Sequence, residues 1–394
     1  MNAGVYMLAA LVWPDLTHFA FAWPVYLMRC QCSVAQYNPP NTKRIAMHDT
    51  PLTRRTFAAL VTASTASLAT QPLLAQSGLE KSKVAIAVGG KAAFYYLPLT
   101  IAEQLGYFKA EGLDVEISDF AGGSRALLAV VGGSADVVSG AYEHTINLQS
   151  KGQKFQAFVL QGRAPQISMG VSPKTMPDYK SVADLRGKKI GVSAPGSSTN
   201  MVANLILSRA GLKPADVSFI GVGTAAGALA AFRSGQIDAM SNTDPVMTML
   251  EQKGEIRIIA DTRTLKGTAD VFGGSMPAGC LYAPVEFILK HPNTVQALTN
   301  AMVRSLKWLQ GAGPSDIVKT VPEGYLLGDR ALYLAAFDKV REAISPDGIF
   351  HDEGARTALR TLASFDPTIK VEKIDLALTF TNTFARKAKE RFKA

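Results

Sequence analysis

The chain has 394 residues, 47% of them hydrophobic and 19% charged. That size and composition fit roughly two globular domains and exclude disorder, collagen and disulfide scaffolds. The formal charge is +9, but Arg29, Lys43, Arg44, Arg54 and Arg55 face only Asp15 and Asp49 near the N-terminus, and the remaining excess is scattered. No Lys/Arg run with interleaved aromatic residues occurs, so nucleic acid is not an expected partner.

Gly4–Met28 is long enough for a bilayer, which takes about 20 apolar residues. It nevertheless holds Asp15, His18, Pro14 and Pro24, and an acidic side chain is costly there. Two readings stand. Residues 1–46 are an extension ahead of a start at Met47, or residues 4–28 tether the chain to a membrane. Residues 47–75 read as an export signal: a charged pair, a stretch rich in small apolar residues, and a Pro-containing exit ending at Ala75. Arg54–Arg55 followed by Phe57 resembles the twin-arginine type. A short amphipathic helix is the competing reading, but the apolar residues form no helical stripe. A periplasmic location is expected. Cys30 and Cys32 precede the exit, which leaves Cys280 alone in the mature chain. Neither a disulfide, a metal site nor a cofactor is expected from that count.

From Lys83 the pattern is strand, loop, helix, strand. Val84–Val88 reads as a buried strand, and Leu97, Ile101, Leu105 and Phe108 recur on one helical face opened by Pro98. Gly112 ends the unit, and Leu113–Ile117 is the next strand. The order returns with a strand at Lys188–Val192, a polar turn at Ala194–Asn200, a helix at Met201–Ala210 stopped by Gly211, and a strand at Val217–Ile220. Such alternation predicts βαβ units and mainly parallel sheets. At an offset of 102 residues, Ala126, Leu127, Ala129, Gly133, Asp136 and Ser139 meet Ala228, Leu229, Ala231, Gly235, Asp238 and Ser241. The period is too long for a solenoid, so two similar α/β lobes are expected. Residues 80–168 plus 272–394 form the first and 169–271 the second. Met276–Tyr282 can return as a strand. Val295, Leu298, Met302, Leu306 and Leu309 mark a later helix, and the C-terminal helices are expected to pack back on the first lobe.

Two such lobes leave a cleft, with ligands held beyond the strand C-termini. The loops there are 89–96, 121–125, 139–144, 193–200, 223–226 and 242–245. Pro195–Asn200 offers hydroxyls and free N–H groups at a helix start, suited to an anionic or strongly polar group. Gly122, Gly123 and Ser124 make a similar turn opposite. Plain helix capping explains either turn alone; two facing ones favour binding. Tyr95, Tyr96 and Tyr142 are loop aromatics able to stack or simply to pack. Glu143 and Asp244 are carboxylates able to select a ligand N–H or hydroxyl, or to stay solvated. Lys91 and Arg125 are the cations of these loops, a poor match to a multiply charged anion. No nucleophile–base constellation is visible, and His144 is the histidine of these loops.

The runs Tyr96–Glu116, Ser181–Val192 and Phe232–Ala239, with Asp244-Pro245 following, resemble the periplasmic solute-binding proteins of ABC importers for nitrate, sulfonates and taurine. The likeness extends from about Lys83 to near Gln310. It implies a type II periplasmic-binding-protein fold, two lobes joined by two crossing strands near Gln166–Ser172 and Leu265–Ser275. It implies a monomer that carries a small-molecule ligand to membrane permease subunits, without catalysis. Ligand contacts carried over fall on Tyr95, Gly123, Ser124, Tyr142, Ser197, Ser198, Thr199, Thr224 and Asp244. Glu143, Asn200 and Asn242 join them from the loop reading above. Val246 follows Pro245 where many relatives have an aromatic residue. The same fold includes a thiamine-pyrimidine precursor synthase with an active-site His and a Cys-rich iron motif; His144 falls near that His, and the Cys-rich motif has no counterpart here.

Overall fold

The computed structural model describes residues 78–394, so the expectations for the extension, the export signal and a tether at 4–28 lie outside the described residues. Among those described, no helix is long and apolar enough to cross a membrane.

Most strands are short apolar runs buried on both faces, whereas Asp114–Phe120, Ser218–Gly221 and Arg257–Asp261 at the sheet edges hold no buried residue. In the first sheet these are β1 (Lys83–Gly89), β2 (Asp114–Phe120), β3 (Val137–Ala141), β4 (Phe155–Leu160) and β10 (Gly279–Pro284). Their spatial order is β2-β1-β3-β10-β4. The second sheet contains β5 (Ile167–Val171), β6 (Lys189–Val192), β7 (Ser218–Gly221), β8 (Ala239–Thr243) and β9 (Arg257–Asp261), in the order β7-β6-β8-β5-β9. The two orders are the same once β10 is matched with β5. Each sheet is mixed: β1 pairs parallel with β2 and β3, whereas β10 runs antiparallel to β3 and β4. Likewise β6 is parallel to β7 and β8, and β5 opposes β8 and β9. Each lobe thus takes its one reversed strand from a chain that has just crossed over from the other.

The 102-residue repeat has a structural cause. Asp136 Oδ2 accepts the Ala85 N–H at 2.9 Å, and Asp238 Oδ2 accepts the Lys189 N–H at 3.0 Å. In both lobes this aspartate ties the entry of the third strand to the first strand of its unit.

The first crossing differs from the expectation, while the second, expected at Leu265–Ser275, lies within the observed connector 262–278. Residues 166–172 are mostly β5 itself, in the interior of the second sheet, because every residue of Ile167–Val171 is buried there. The actual connectors are residues 161–166 and 262–278, and the second carries a helix, Leu265–Phe272. They are irregular segments held together by hydrogen bonds: the Ala278 N–H donates to the Gly162 carbonyl at 2.9 Å and the Gln166 N–H to the Thr262 carbonyl at 3.1 Å. A lobe division at 168/169 therefore cuts β5.

The face predicted from Leu97 to Phe108 is also interrupted. The helix Leu97–Gln104 stops before Leu105, which is exposed, and Gly106 takes the left-handed conformation (φ 68°) before a second short helix, Tyr107–Ala110. Glycine adopts that backbone without strain. The face of Val295, Leu298, Met302, Leu306 and Leu309 is wholly buried along the helix Pro292–Gly311.

The C-terminal helices pack on the first lobe, where Phe94 lies 4.6 Å from Tyr333 between ring centroids. They also reach the second. Leu332, on the helix Arg330–Val340, packs with Met247 and Leu250, and Lys339 Nζ lies 2.8 Å from Glu251. The helix Asp352–Phe365 lies against the helix Ser198–Arg209.

Candidate functional site

The strand ends of the two lobes face each other across a narrow cavity. Gly89, Ala93, Tyr95, Tyr96 and Gly123 line it from the first lobe; Ile167, Ser193, Ser197, Ser198, Thr199, Thr224 and Thr243 line it from the second. Its volume of about 20 Å³ is room for about one water molecule. An organic solute therefore enters only if the lobes part.

Two helices begin at this cavity from opposite sides, Gly123–Val131 and Ser198–Arg209. Their first N–H groups have no carbonyl one turn back to bond, so each end presents donors and a partial positive charge. The two ends touch. The Ser124 N–H donates to Ser197 Oγ at 3.0 Å, and Ser124 Oγ donates to the Pro195 carbonyl at 2.8 Å. The Tyr95 and Ser198 hydroxyls lie 3.4 Å apart, and the Phe94 N–H donates to the Asp244 carbonyl at 3.1 Å. Gly122 permits this approach: a Cβ there would stand 2.8 Å from the Ala194 Cβ.

Beneath this contact lie two consecutive titratable residues, Glu143 and His144, opening the helix Glu143–Ser150. Glu143 is 2% exposed and its Oε1 has no hydrogen-bond partner. Burial pushes its carboxyl up to about 7, against the pull of the Ser198 hydroxyl across the interface. His144 is equally buried; its Nδ1 is 2.9 Å from the Tyr282 hydroxyl and its Nε2 has no partner. Burial pushes the imidazole down to about 4, so it is neutral near pH 7. The Cys280 thiol is buried nearby and pushed well above its ordinary value, first by burial and then by Glu143.

The expected site residues divide into three groups. Tyr95, Gly123, Ser197, Ser198, Thr199 and Thr224 come together on the cavity wall. Ser124 bridges the lobes at the rim, and Glu143 stands behind Ser198. Four turn elsewhere. Tyr142 is fully buried, its hydroxyl 2.6 Å from Thr379 Oγ1 and its ring against Phe350. Asn200 Oδ1 accepts the Gly196 N–H at 2.9 Å and closes the turn before its own helix. Asn242 Nδ2 donates to the Gly223 carbonyl at 2.9 Å, bracing the loop that carries Thr224. Asp244 directs its carboxylate inward, where Oδ1 accepts the Thr248 N–H at 2.7 Å and Oδ2 faces Arg263 at 3.7 Å.

Arg263 had no signal in the sequence, yet it organises this part of the second lobe. It is fully buried and also pairs with Asp261 at 2.6 Å and Glu251 at 2.8 Å. Burial lifts Asp244 above the usual carboxylate range despite Arg263. Asp261 and Glu251 also feel burial, but hydrogen bonds and charge from Arg263 and Lys339 hold them below it. Of the other lining residues, Ser193 and Thr243 were findable as strand-end positions. Ile167 was not, because its place depends on where β5 enters the second sheet.

Two lobes of matching topology, two paired connectors and a polar cavity between helix starts define the periplasmic-binding-protein fold. The NMT1/THI5-like family profile matches residues 93–312. A solved structure from Bordetella bronchiseptica RB50 is 64% identical, covers 80% of this chain and 99% of its own, and superposes with a TM-score of 0.79. The alkanesulfonate-binding protein SsuA of Xanthomonas axonopodis pv. citri, solved with MOPS, is 18% identical over 77% of this chain and 99% of its own, with a TM-score of 0.58. YtlA of Bacillus subtilis, provisionally named a binding protein, is 21% identical over 66% of this chain and 77% of its own. The chain belongs to the NMT1/THI5-like family.

Proposed function

We propose that the protein is an extracytoplasmic solute-binding protein that carries a small polar or anionic organic molecule, a sulfonate, carboxylate or similar, to the permease of an ABC importer. The observation that carries this reading is the convergence of two helix N-termini, one from each lobe, on one buried polar cavity between two connectors. Each terminus stabilises an acidic group by about 0.3–1 kcal/mol, and by up to about 2 when partly buried. A hydroxyl such as that of Ser198 adds about 0.5–1.5 kcal/mol. Those sums suit one acidic group and fall short for a dianion.

Binding without turnover accords with the side chains beneath the cavity. A nucleophilic cysteine needs a depressed pKa, and burial moves Cys280 the other way. His144 already engages Tyr282 through Nδ1. The Arg54–Arg55 signal supports a periplasmic address, and N-terminal sequencing of the native protein should then begin near Gln76.

Lobe closure about the connectors moves two rigid bodies. Small-angle scattering, with a ligand found by a thermal-shift screen of sulfonates, carboxylates, nitrate and pyrimidines, should give different radii of gyration for the free and the saturated protein. A radius unchanged by a saturating ligand would mean a fixed pocket and would defeat the closing-cleft reading.

A further inference from the structure

We propose that the C-terminal helix Arg330–Val340 is a latch, in which Lys339 of the first lobe completes a charge cluster of the second and holds the cleft shut whatever occupies it. The inference rests on the reading of two lobes that part and close, and adds the element that sets their resting balance.

The cluster in the second lobe is out of balance by itself. Asp244, Glu251 and Asp261 supply three carboxyls to one guanidinium, that of Arg263 at the start of the connector 262–278. The second cation comes from the other lobe: Lys339 Nζ lies 2.8 Å from the same Glu251 Oε2 that Arg263 holds. Burial disfavours the ionised form of all three carboxyls, and the charges of Arg263 and Lys339 oppose it at each of them. Parting the lobes withdraws Lys339 and leaves the three acids to Arg263 alone.

The helix is built to travel with the first lobe. Tyr333, Ala336, Phe337 and Val340 are buried there with Phe94 and Ile101. Leu332 and Lys339, about two turns apart on the opposite face, meet the second lobe, Leu332 among Met247 and Leu250 and Lys339 at Glu251. One face is therefore an anchor and the other a small contact of one leucine and one ion pair. The pair is 34% and 33% exposed, and ion pairs of that kind are weak and screened by salt. That suits a contact that has to break.

The latch also sits beside the pivot. Just after the helix, the Arg163 N–H donates to the Ala343 carbonyl at 2.8 Å and the Ser345 N–H to the Gln161 carbonyl at 2.9 Å, while the Leu265 N–H donates to Glu342 Oε1 at 2.9 Å. Both connectors are thus tied to its end. At the cleft, Phe94 lies against Tyr333 of the helix and donates its N–H to the Asp244 carbonyl. From Phe94 through the helix to Lys339, and back through Glu251, Arg263 and Asp244, the contacts form a closed ring that passes between the lobes twice. Lys339, Glu251 and Arg263 lie outside the cavity lining, so the ring acts without touching a solute.

The test is hydrogen exchange with residue-level mass spectrometry on the ligand-free full chain. It reads the interlobe amides of Phe94 and Ser124, with the core strands β1 and β6 as reference. Lys339→Met removes the charge, Lys339→Glu reverses it and Lys339→Arg keeps it. The interlobe amides should exchange about two- to fivefold faster in Lys339→Met, about tenfold or more in Lys339→Glu, and at the wild-type rate in Lys339→Arg, with β1 and β6 unchanged. Salt at about 1 M should bring the wild type to the Lys339→Met rate and leave that variant where it was. Interlobe amides that exchange faster than the core in the wild type, yet equally in all three variants, would overturn the latch and spare the parting of the lobes. Acceleration shared by β1 and β6 would also overturn it, since Lys339 would then support the fold and not the closed cleft. Interlobe amides no faster than the core in every protein would overturn both the latch and the two-lobe opening.

Discussion

The turn after the third strand of each lobe separates the two halves of the molecule. In the first lobe β3 ends at Ala141 and a single residue, Tyr142, leads into a helix that opens with Glu143 and His144. In the second β8 ends at Thr243 and two residues, Asp244 and Pro245, lead into the helix Val246–Gln252, which opens with Val246 and Met247. The same place in the fold holds a carboxyl and an imidazole at the interlobe contact in one case and two core residues in the other. The loops after the first strands diverge as well, giving Tyr95 and Tyr96 on one side and Ser197, Ser198 and Thr199 on the other. The repeat therefore supplies a scaffold, and the recognition chemistry is divided unequally across it. Both lobes present a helix N-terminus, at Gly123 and at Ser198; the first lobe adds aromatic rings and a buried carboxyl, and the second adds a run of hydroxyls.

The largest expected effect comes from removing the device that fills the corresponding place in the second lobe. Arg263→Ala would leave Asp244 buried without its cation, at a cost of about 3–5 kcal/mol. Urea denaturation measures it, and a loss below about 1 kcal/mol would show that the cluster is not structural. Next is the contact itself. Gly122→Ala places a methyl group against Ala194, and overpacking of that kind costs about 1–3 kcal/mol. Since the clash exists only when the lobes meet, it should appear as roughly ten- to hundredfold weaker ligand binding with a nearly unchanged melting temperature. A drop in melting temperature at unchanged affinity would place the strain inside one lobe.

Ser198→Ala should weaken the ligand by about three- to tenfold in calorimetry, the value of one hydrogen bond. Thr199 is a poorer probe: its Oγ1 already accepts the Ser193 N–H at 2.9 Å, so its loss acts on the lobe and not on the ligand alone. The smallest effect is a cancellation. Glu143 binds its proton more tightly in the folded protein, so it stabilises below its ordinary value near 4.5 and loses that contribution as pH rises through about 7. His144 does the reverse, contributing above 6.5 and losing it as pH falls through about 4. Between about 4.5 and 6.5 the two oppose, and wild-type stability should be nearly flat. Glu143→Gln should then lose stability toward acid, and His144→Gln should lose it as pH rises from 4.5 to 7. Parallel curves for the two variants would contradict the burial of one or the other.

How much of this was legible beforehand depends on the range of the interactions involved. Local periodicity placed β1, β2, β6, β7 and the face of the helix Pro292–Gly311, because an element's side-chain period is written into the chain itself. The internal repeat exposed two lobes, because both solve the same problem with an aspartate tied to the first strand. The polar turns at 122–124 and 194–200 pointed to two helix starts, since that chemistry is confined to one turn, although the second helix begins at Ser198, three residues before the expected Met201. Those features follow from interactions local to the chain. The positions of Asp244, Asn242 and Tyr142 were not determined there, although each sits in a loop at the cleft end of a strand. A polar side chain turns toward whichever partner is nearest in space, and for Asp244 that is Arg263, nineteen residues further on. The first crossing, the bridging by Leu332 and Lys339, and the unpaired oxygen of Glu143 likewise depend on segments far apart in the chain. Their meeting is set by the packing of whole lobes, and only the tertiary structure decides it.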